Sequence, residues 1–138
     1  MIVLDTGVLL AYFSASDPDH TPARELLENP SLEFVTTPLV VAELDYFVLE
    51  RFGPHIEART IEHLLDSPIS IAPFGHAELA LCARLLARYQ DLELGLTDAS
   101  VMVAAESLGT RLIATLDERD FRPVRMESGA AFQLLPDG

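Results

Sequence analysis

Lysine is absent from this chain of 138 residues, and all nine basic side chains are arginines. That absence excludes lysine Schiff-base chemistry, a phosphate-binding loop built on lysine and a phospho-receiver domain. Cys82 is the single cysteine, so an intrachain disulfide and a CxxC zinc site are excluded as well. The sequence contains no HxxxH, HExxH, GxSxG, GxGxxG or GxxxxGK[ST] pattern, which argues against zinc hydrolases, serine hydrolases and nucleotide-binding loops.

Positive charge is scarce in general. The chain has 22 acidic residues, a formal net charge of −13 and a pI of about 4.4. Such a surface repels nucleic acid at long range, so binding of a nucleic acid needs metal ions or local arginines. The N-terminal segment lacks a basic region, and no apolar run approaches the roughly 20 residues of a membrane span. We therefore expect a cytoplasmic protein that does not bind membranes, with residues 1–138 forming one domain.

Short apolar segments alternate with segments of helical periodicity. This alternation predicts an α/β fold, a three-layer α/β/α sandwich with a mainly parallel central sheet. The predicted strands are Ile2–Leu4, Glu33–Thr36, Pro68–Ala72, Leu112–Leu116 and, more weakly, Phe132–Leu135. The predicted helices are Thr6–Phe13, Pro22–Glu28, a helix capped by Thr37 and ending near Phe52, His55–Leu65, Gly75–Tyr89, and a helix capped by Thr97 and ending at Leu108.

Four acidic residues interrupt or end these apolar segments: Asp5, Glu43, Asp98 and Asp117. Each has an ordinary explanation on its own, as a helix cap, a solvated helix position, a first-turn residue or a turn residue. In a right-handed parallel α/β winding, however, all four fall at one edge of the sheet. Two carboxylates about 4 Å apart repel by roughly 4 kcal/mol at an effective dielectric constant of 20. A hard divalent cation, Mg²⁺ or Mn²⁺, would relieve that repulsion, and carboxylate-held Mg²⁺ usually acts on phosphate esters.

Segments around these acids resemble the PIN-domain family, and within it the VapC-type toxin ribonucleases of bacterial toxin–antitoxin pairs. The matching segments are IVLDTGVLLAYF at residues 2–13, TTPLVVAELDYFV at 36–48, LGLTDASVMVAAE at 94–106 and LIATLDERDF at 112–121. The resemblance implies a PIN-like fold and an endoribonuclease that depends on Mg²⁺ or Mn²⁺. It also implies a homodimer and neutralisation by a small VapB-like antitoxin protein. The implied catalytic and metal-binding residues are Asp5, Glu43, Asp98 and Asp117.

Several neighbours of these acids are supporting candidates. Thr6 and Thr115 match positions where a hydroxyl orients a carboxylate or a water, and they fit equally well as structural β-branched residues. Asp120 competes with Asp117 for the place of the fourth acid; the family pattern favours Asp117, which directly follows the apolar strand. Asp91 is a candidate for the outer part of the site.

The arginines that follow the last acid are candidates for contacts with RNA phosphates, with charge pairing on the protein surface as the equal alternative. They are Arg119, Arg122 and Arg125. Because the chain is so acidic, we expect RNA binding to be weak, sensitive to salt and dependent on metal.

Two other function classes compete with the nuclease. A non-catalytic interaction module could share the PIN fold, although such a module has no need to keep four mutually repelling acids. A phosphotransfer or phosphatase domain with an acidic pocket is disfavoured, because lysine is absent and Gly7 stands where a phosphatase needs its second aspartate.

Overall fold

The computed structural model describes residues 1–136. Its five strands are β1 (Ile2–Leu4), β2 (Phe34–Thr36), β3 (Ser70–Ile71), β4 (Leu112–Ala114) and β5 (Gln133–Leu135). Its five α-helices are α1 (Thr6–Phe13), α2 (His20–Leu27), α3 (Pro38–Asp66), α4 (His76–Arg88) and α5 (Leu96–Leu108). Two 3-10 helices cover Gln90–Leu92 and Glu118–Asp120.

The strands form one sheet in the order β3-β2-β1-β4-β5, and every pairing is parallel. The predicted α/β architecture is therefore confirmed. The register pairs Leu4 with Ala114, so the chain leaves β1 and β4 side by side at the same edge. That edge is where functional groups gather in parallel α/β sheets.

The hydrophobic core is formed around strand β1 and helix α5, whose residues are mostly apolar. All three residues of β1 are buried, and seven consecutive residues of α5, from Ala99 to Ala105, are buried too. The α5 helix is apolar on several sides because it packs against the sheet, α3 and α4 at once. It therefore holds its first turn in a fixed position at the sheet edge.

The predicted break between two helices at Gly53–Pro54 is present as a kink within α3. Gly53 has φ 84°, a left-handed conformation that favours glycine, and helical geometry resumes at Pro54. No helix of residues 1–136 combines the length and apolar composition that crossing a membrane requires.

Two local predictions near the site were wrong. The α5 helix is capped by Gly95 rather than Thr97, because the extended backbone of Gly95 lets the helix begin two residues earlier, which places Asp98 inside the first turn. The β4 strand ends at Ala114, so Asp117 does not directly follow it. The Thr115 hydroxyl accepts a hydrogen bond from the Asp117 backbone at 3.1 Å, and the resulting turn ends the strand.

Candidate active site

A pocket of about 480 Å³ lies where the chain leaves β1 and β4. Its walls also come from α1, α3, the first turn of α5 and the Glu118–Asp120 turn. Five carboxyl side chains line this acidic pocket: Asp5, Glu43, Asp98, Asp117 and Asp120. No arginine or histidine is among its lining residues in the described part of the chain. The structure thus brings all four predicted acids together and adds the alternative fourth acid, Asp120.

Asp5 lies at the bottom of the pocket and is only 7% exposed. It caps α1, where its Oδ1 accepts a hydrogen bond from the Thr6 backbone at 2.8 Å. Its Oδ2 accepts a second from the Thr115 hydroxyl at 2.9 Å. Burial raises the pKa of Asp5 and the charges of Glu43 and Asp117 raise it further, while the two hydrogen bonds oppose that shift.

Asp98 has a strongly raised pKa. Burial first, and then repulsion from Asp5, Asp120 and Glu43, raises its pKa from 3.8 to about 8. Asp120 also lies within hydrogen-bonding reach of the Asp98 carboxyl. At neutral pH Asp98 therefore retains its proton unless positive charge is supplied.

Glu43 reaches the pocket from the second turn of α3. This turn is fixed at its start by Thr37, whose hydroxyl accepts a hydrogen bond from the Val40 backbone at 3.2 Å. Val40 and Leu44 are fully buried on the adjoining face, which leaves Glu43 directed to the half-buried side. The predicted cap at Thr37 is confirmed, and it fixes the position of Glu43 relative to the sheet.

Asp117 and Asp120 differ in their surroundings. The Asp117 side chain accepts hydrogen bonds at Oδ1 from the Arg119 backbone at 3.4 Å and from Arg119 Nε at 3.3 Å. Asp120 interacts instead with Asp98. Both line the pocket, so the choice of Asp117 as the fourth acid remains a prediction.

The residues of the pocket fit a hard divalent cation. They supply carboxylate oxygens with no basic side chain in the lining, the donor set that Mg²⁺ and Mn²⁺ prefer. In addition, the Thr6 hydroxyl lines the pocket and is buried without a hydrogen-bond partner among residues 1–136. No three Asp, Glu, His or Cys side chains in that range are already arranged to hold one ion. Cation binding would therefore draw the carboxylates closer together.

Comparison with known proteins identifies the family. The chain matches the family model of the PIN domain over residues 2–125. The chain belongs to the PIN-domain family. It is 38% identical to Ribonuclease VapC26 of Mycobacterium tuberculosis over 135 residues, which cover 98% of this chain and 100% of that relative.

Solved structures share this PIN fold at low sequence identity. The sarcin-ricin-loop-cleaving toxin VapC20 of Mycobacterium tuberculosis superposes with a TM-score of 0.75 at 18% identity, over 82% of this chain and 87% of that one. A toxin–antitoxin complex from Klebsiella pneumoniae gives a TM-score of 0.69 at 20% identity, over 90% and 92%. These likenesses confirm the PIN-like architecture.

The predicted arginines do not line the acidic pocket of this PIN domain. Arg119 forms an exposed ion pair with Asp117, and Arg122 pairs with Glu118 on the same turn. Arg125 lines a separate groove. Asp91 is exposed on its 3-10 helix and is not a lining residue either.

Thr115 behaves as predicted for a hydroxyl that orients a carboxylate, since it donates to Asp5. Sequence reasoning missed Ser100, whose hydroxyl lies 2.8 Å from that of Thr37 and is fully buried. This contact links the N-terminal part of α5, which carries Asp98, to the N-terminal part of α3, which carries Glu43. A hydroxyl within the apolar segment Ala99–Ala105 was the available signal.

Proposed function

We propose that this PIN domain is the toxin endoribonuclease of a toxin–antitoxin pair and that it requires Mg²⁺ or Mn²⁺. The observation that carries the proposal is the acidic pocket, in which five carboxyl groups meet and only Asp117 has an arginine partner, the exposed Arg119 outside the lining. Such an arrangement is unfavourable in an inert protein, because each buried carboxylate loses solvation and repels the others. It becomes favourable when a cation and a phosphate ester occupy the pocket together.

Support for the substrate and partner comes from the relatives. The 38% identical relative is named a ribonuclease, and one structural neighbour is a toxin–antitoxin complex. We therefore propose RNA as the substrate and a small VapB-like antitoxin as the protein partner. We also propose a homodimer as the assembly, as the family resemblance implies.

Asp5, Glu43, Asp98 and either Asp117 or Asp120 would hold the cation. When bound, a divalent cation supplies positive charge at a phosphate and lowers the pKa of a water molecule. The chain contributes the positions of the oxygens. The Thr6 backbone and the Thr115 hydroxyl fix both oxygens of Asp5, and the hydroxyl pair Thr37–Ser100 sets the relative positions of Glu43 and Asp98.

The proposed reaction is hydrolysis of an RNA phosphodiester. The oxygen of water forms a bond to phosphorus, the bond from phosphorus to the 3′ oxygen breaks, and a proton is transferred to that oxygen. The products are a 5′-phosphate and a 3′-hydroxyl. A 2′,3′-cyclic phosphate would instead mean attack by the ribose hydroxyl and would refute this route.

Cleavage of total cellular RNA by the purified protein tests the proposal, with Mn²⁺, with Mg²⁺ and with EDTA. The Asp98→Asn variant is measured beside it, and Asp91→Asn serves as the matched control because Asp91 lies outside the pocket. We expect discrete cuts that require metal, disappear in Asp98→Asn and persist in Asp91→Asn. Absence of cleavage under every condition would refute the nuclease, and absence of a metal response would favour a non-catalytic interaction module.

A further inference from the structure

A second groove, of about 280 Å³, lies between α4, α5 and the segment that leads into β5. Three arginines line it: Arg84 and Arg88 from α4, and Arg125 from the segment after the acidic pocket. Tyr89 and Phe132 contribute aromatic rings to its wall. We call this feature the arginine groove.

The arginines of this groove are available for an external anion. None of the three forms an ion pair with a carboxylate of residues 1–136, whereas Arg24, Arg119 and Arg122 all do. Two acidic residues, Glu106 and Glu127, also line the groove. The Glu106 carboxylate accepts a hydrogen bond from the Glu127 backbone at 3.3 Å. Three of the nine arginines in this chain, whose net charge is −13, therefore line one groove.

Aromatic and cationic groups are held together in the groove. The Arg88 guanidinium lies 5.4 Å from the centre of the Tyr89 ring. The Tyr89 hydroxyl accepts a hydrogen bond from the Arg125 backbone at 3.2 Å. Arg125 Nη1 donates to the carbonyl oxygens of Arg122 at 2.6 Å and Val124 at 3.2 Å, which restricts the position of the guanidinium. These contacts hold Arg88 and the backbone of Arg125 beside the Tyr89 ring.

The arginine groove is separate from the acidic pocket but lies next to it along α5. Asp98 lines the pocket, and Met102 and Glu106, four and eight residues later, line the groove. One helical turn separates Asp98 from Met102, about 6 Å along the axis. The segment from Asp117 to Arg125 also connects the two, because its first residue lines the pocket and its last lines the groove.

We propose that the arginine groove binds a single-stranded stretch of the RNA substrate next to the cleaved bond. This inference rests on the proposed ribonuclease function. It explains how so acidic a chain holds RNA, since the pocket itself offers no cationic side chain. Arginine beside half-buried aromatic rings that line a groove suits a phosphate followed by a stacked base, which is the usual mode of single-strand recognition. An acidic protein segment would use the guanidinium groups but would gain less from the rings.

Binding of a fluorescent single-stranded RNA to the full chain, measured by anisotropy at several salt concentrations, tests the inference. The test variant is the double substitution Arg84→Gln and Arg88→Gln. The matched control is Arg59→Gln and Arg111→Gln, which removes the same charge from two exposed arginines outside the groove. We expect the test variant to bind at least tenfold more weakly. The slope of log affinity against log salt is negative, and in the test variant it should become shallower by about 1.4, that is by about 0.7 for each lost phosphate contact on a single strand. The control should change neither quantity to that extent.

Arg125→Gln is a second variant, expected to weaken binding in the same direction. Cleavage measured on the same preparations separates the two proposals. Equal RNA affinity in the test and control variants, with metal-dependent cleavage intact, would overturn the groove assignment and leave the nuclease standing. Polyglutamate serves as a second probe. If the test variant lost binding to polyglutamate and kept the RNA affinity of wild type, the groove assignment would be overturned in favour of an acidic protein segment. A wild-type chain that neither binds nor cleaves RNA would overturn both.

Discussion

Replacing Asp98 with asparagine is expected to stabilise the protein when divalent cations are removed. Burial and three neighbouring carboxyl groups raise the pKa of Asp98 from 3.8 to about 8 in the folded state. A group with a raised folded pKa binds its proton more tightly in the folded state than in the unfolded one. Its contribution to the free energy of unfolding is therefore complete below about pH 4, and is lost as the pH rises to about 8.

The size of the effect follows from these two pKa values. The full difference corresponds to about 6 kcal/mol at about 1.4 kcal/mol for each pH unit. Asp98 is only partly buried, and solvent screening at such a position reduces the expected penalty to about 2 kcal/mol. Asparagine keeps the shape of aspartate and cannot ionise. In EDTA at pH 8.5, Asp98→Asn should therefore unfold at a temperature higher by roughly 6–8 °C.

Thermal and urea unfolding of both proteins from pH 4 to pH 8.5 provides the assay. The advantage of the variant should be near zero at pH 4 and should grow steadily with pH. Asp91→Asn makes the same chemical change at an exposed position outside the pocket, and should alter stability by less than about 0.5 kcal/mol. A variant that is no more stable than wild type at pH 8.5, or one whose advantage does not depend on pH, would refute the electrostatic reasoning.

Three further predictions concern the same pocket. Thr115→Val should lower the free energy of unfolding at neutral pH by about 1.5–3 kcal/mol in urea titrations, because it removes the hydroxyl that donates to the Asp5 carboxylate, and Thr115→Ser should retain most of that stability. Mg²⁺ or Mn²⁺ should raise the unfolding temperature of wild type more at pH 8 than at pH 5, since protons compete for the carboxylates at the lower pH. If the cation raised the unfolding temperature of Asp98→Asn at pH 8 as much as that of wild type, the prediction would be contradicted. Asp120→Asn should lower the pKa of Asp98, read by carbon-13 NMR of the side-chain carboxyl groups, whereas Asp117→Asn should lower the pKa of Asp5 instead. Equal effects of both substitutions on Asp98 would show that the two acids are not distinguished as the structure has them.

Much of this molecule could be predicted locally. A β-branched segment that ends in an acid, followed at once by helical periodicity, is enough to place Asp5 between β1 and α1. Thr37 and Pro38 mark the start of α3 by the chemistry of helix capping. Gly53, with its left-handed backbone, marks the break in the same helix. Each of these features depends on interactions among residues close together in the chain.

Predictions at the boundaries were less accurate, and for one of them a neighbour elsewhere in the fold decides where the element ends. The Thr97 cap was wrong, since Gly95 adopts the extended backbone that starts α5. The last apolar segment looked like a strand through Leu116, but the Thr115 hydroxyl bonds to Asp5 and to the Asp117 backbone and ends the strand at Ala114. No local pattern contains the Asp5 contact, which joins residues 110 positions apart.

Local patterns in the sequence were sufficient to predict the alternation of strands and helices, the family resemblance and the four acids Asp5, Glu43, Asp98 and Asp117, all of which line the pocket. These depend on periodicity, capping and local composition. Only the tertiary structure placed Asp120 against Asp98, linked Ser100 to Thr37 and assembled the arginine groove from two distant segments. The physical reason is that electrostatic coupling depends on distance in space, and a chain with many carboxylates and few arginines does not reveal by its order which of them will meet.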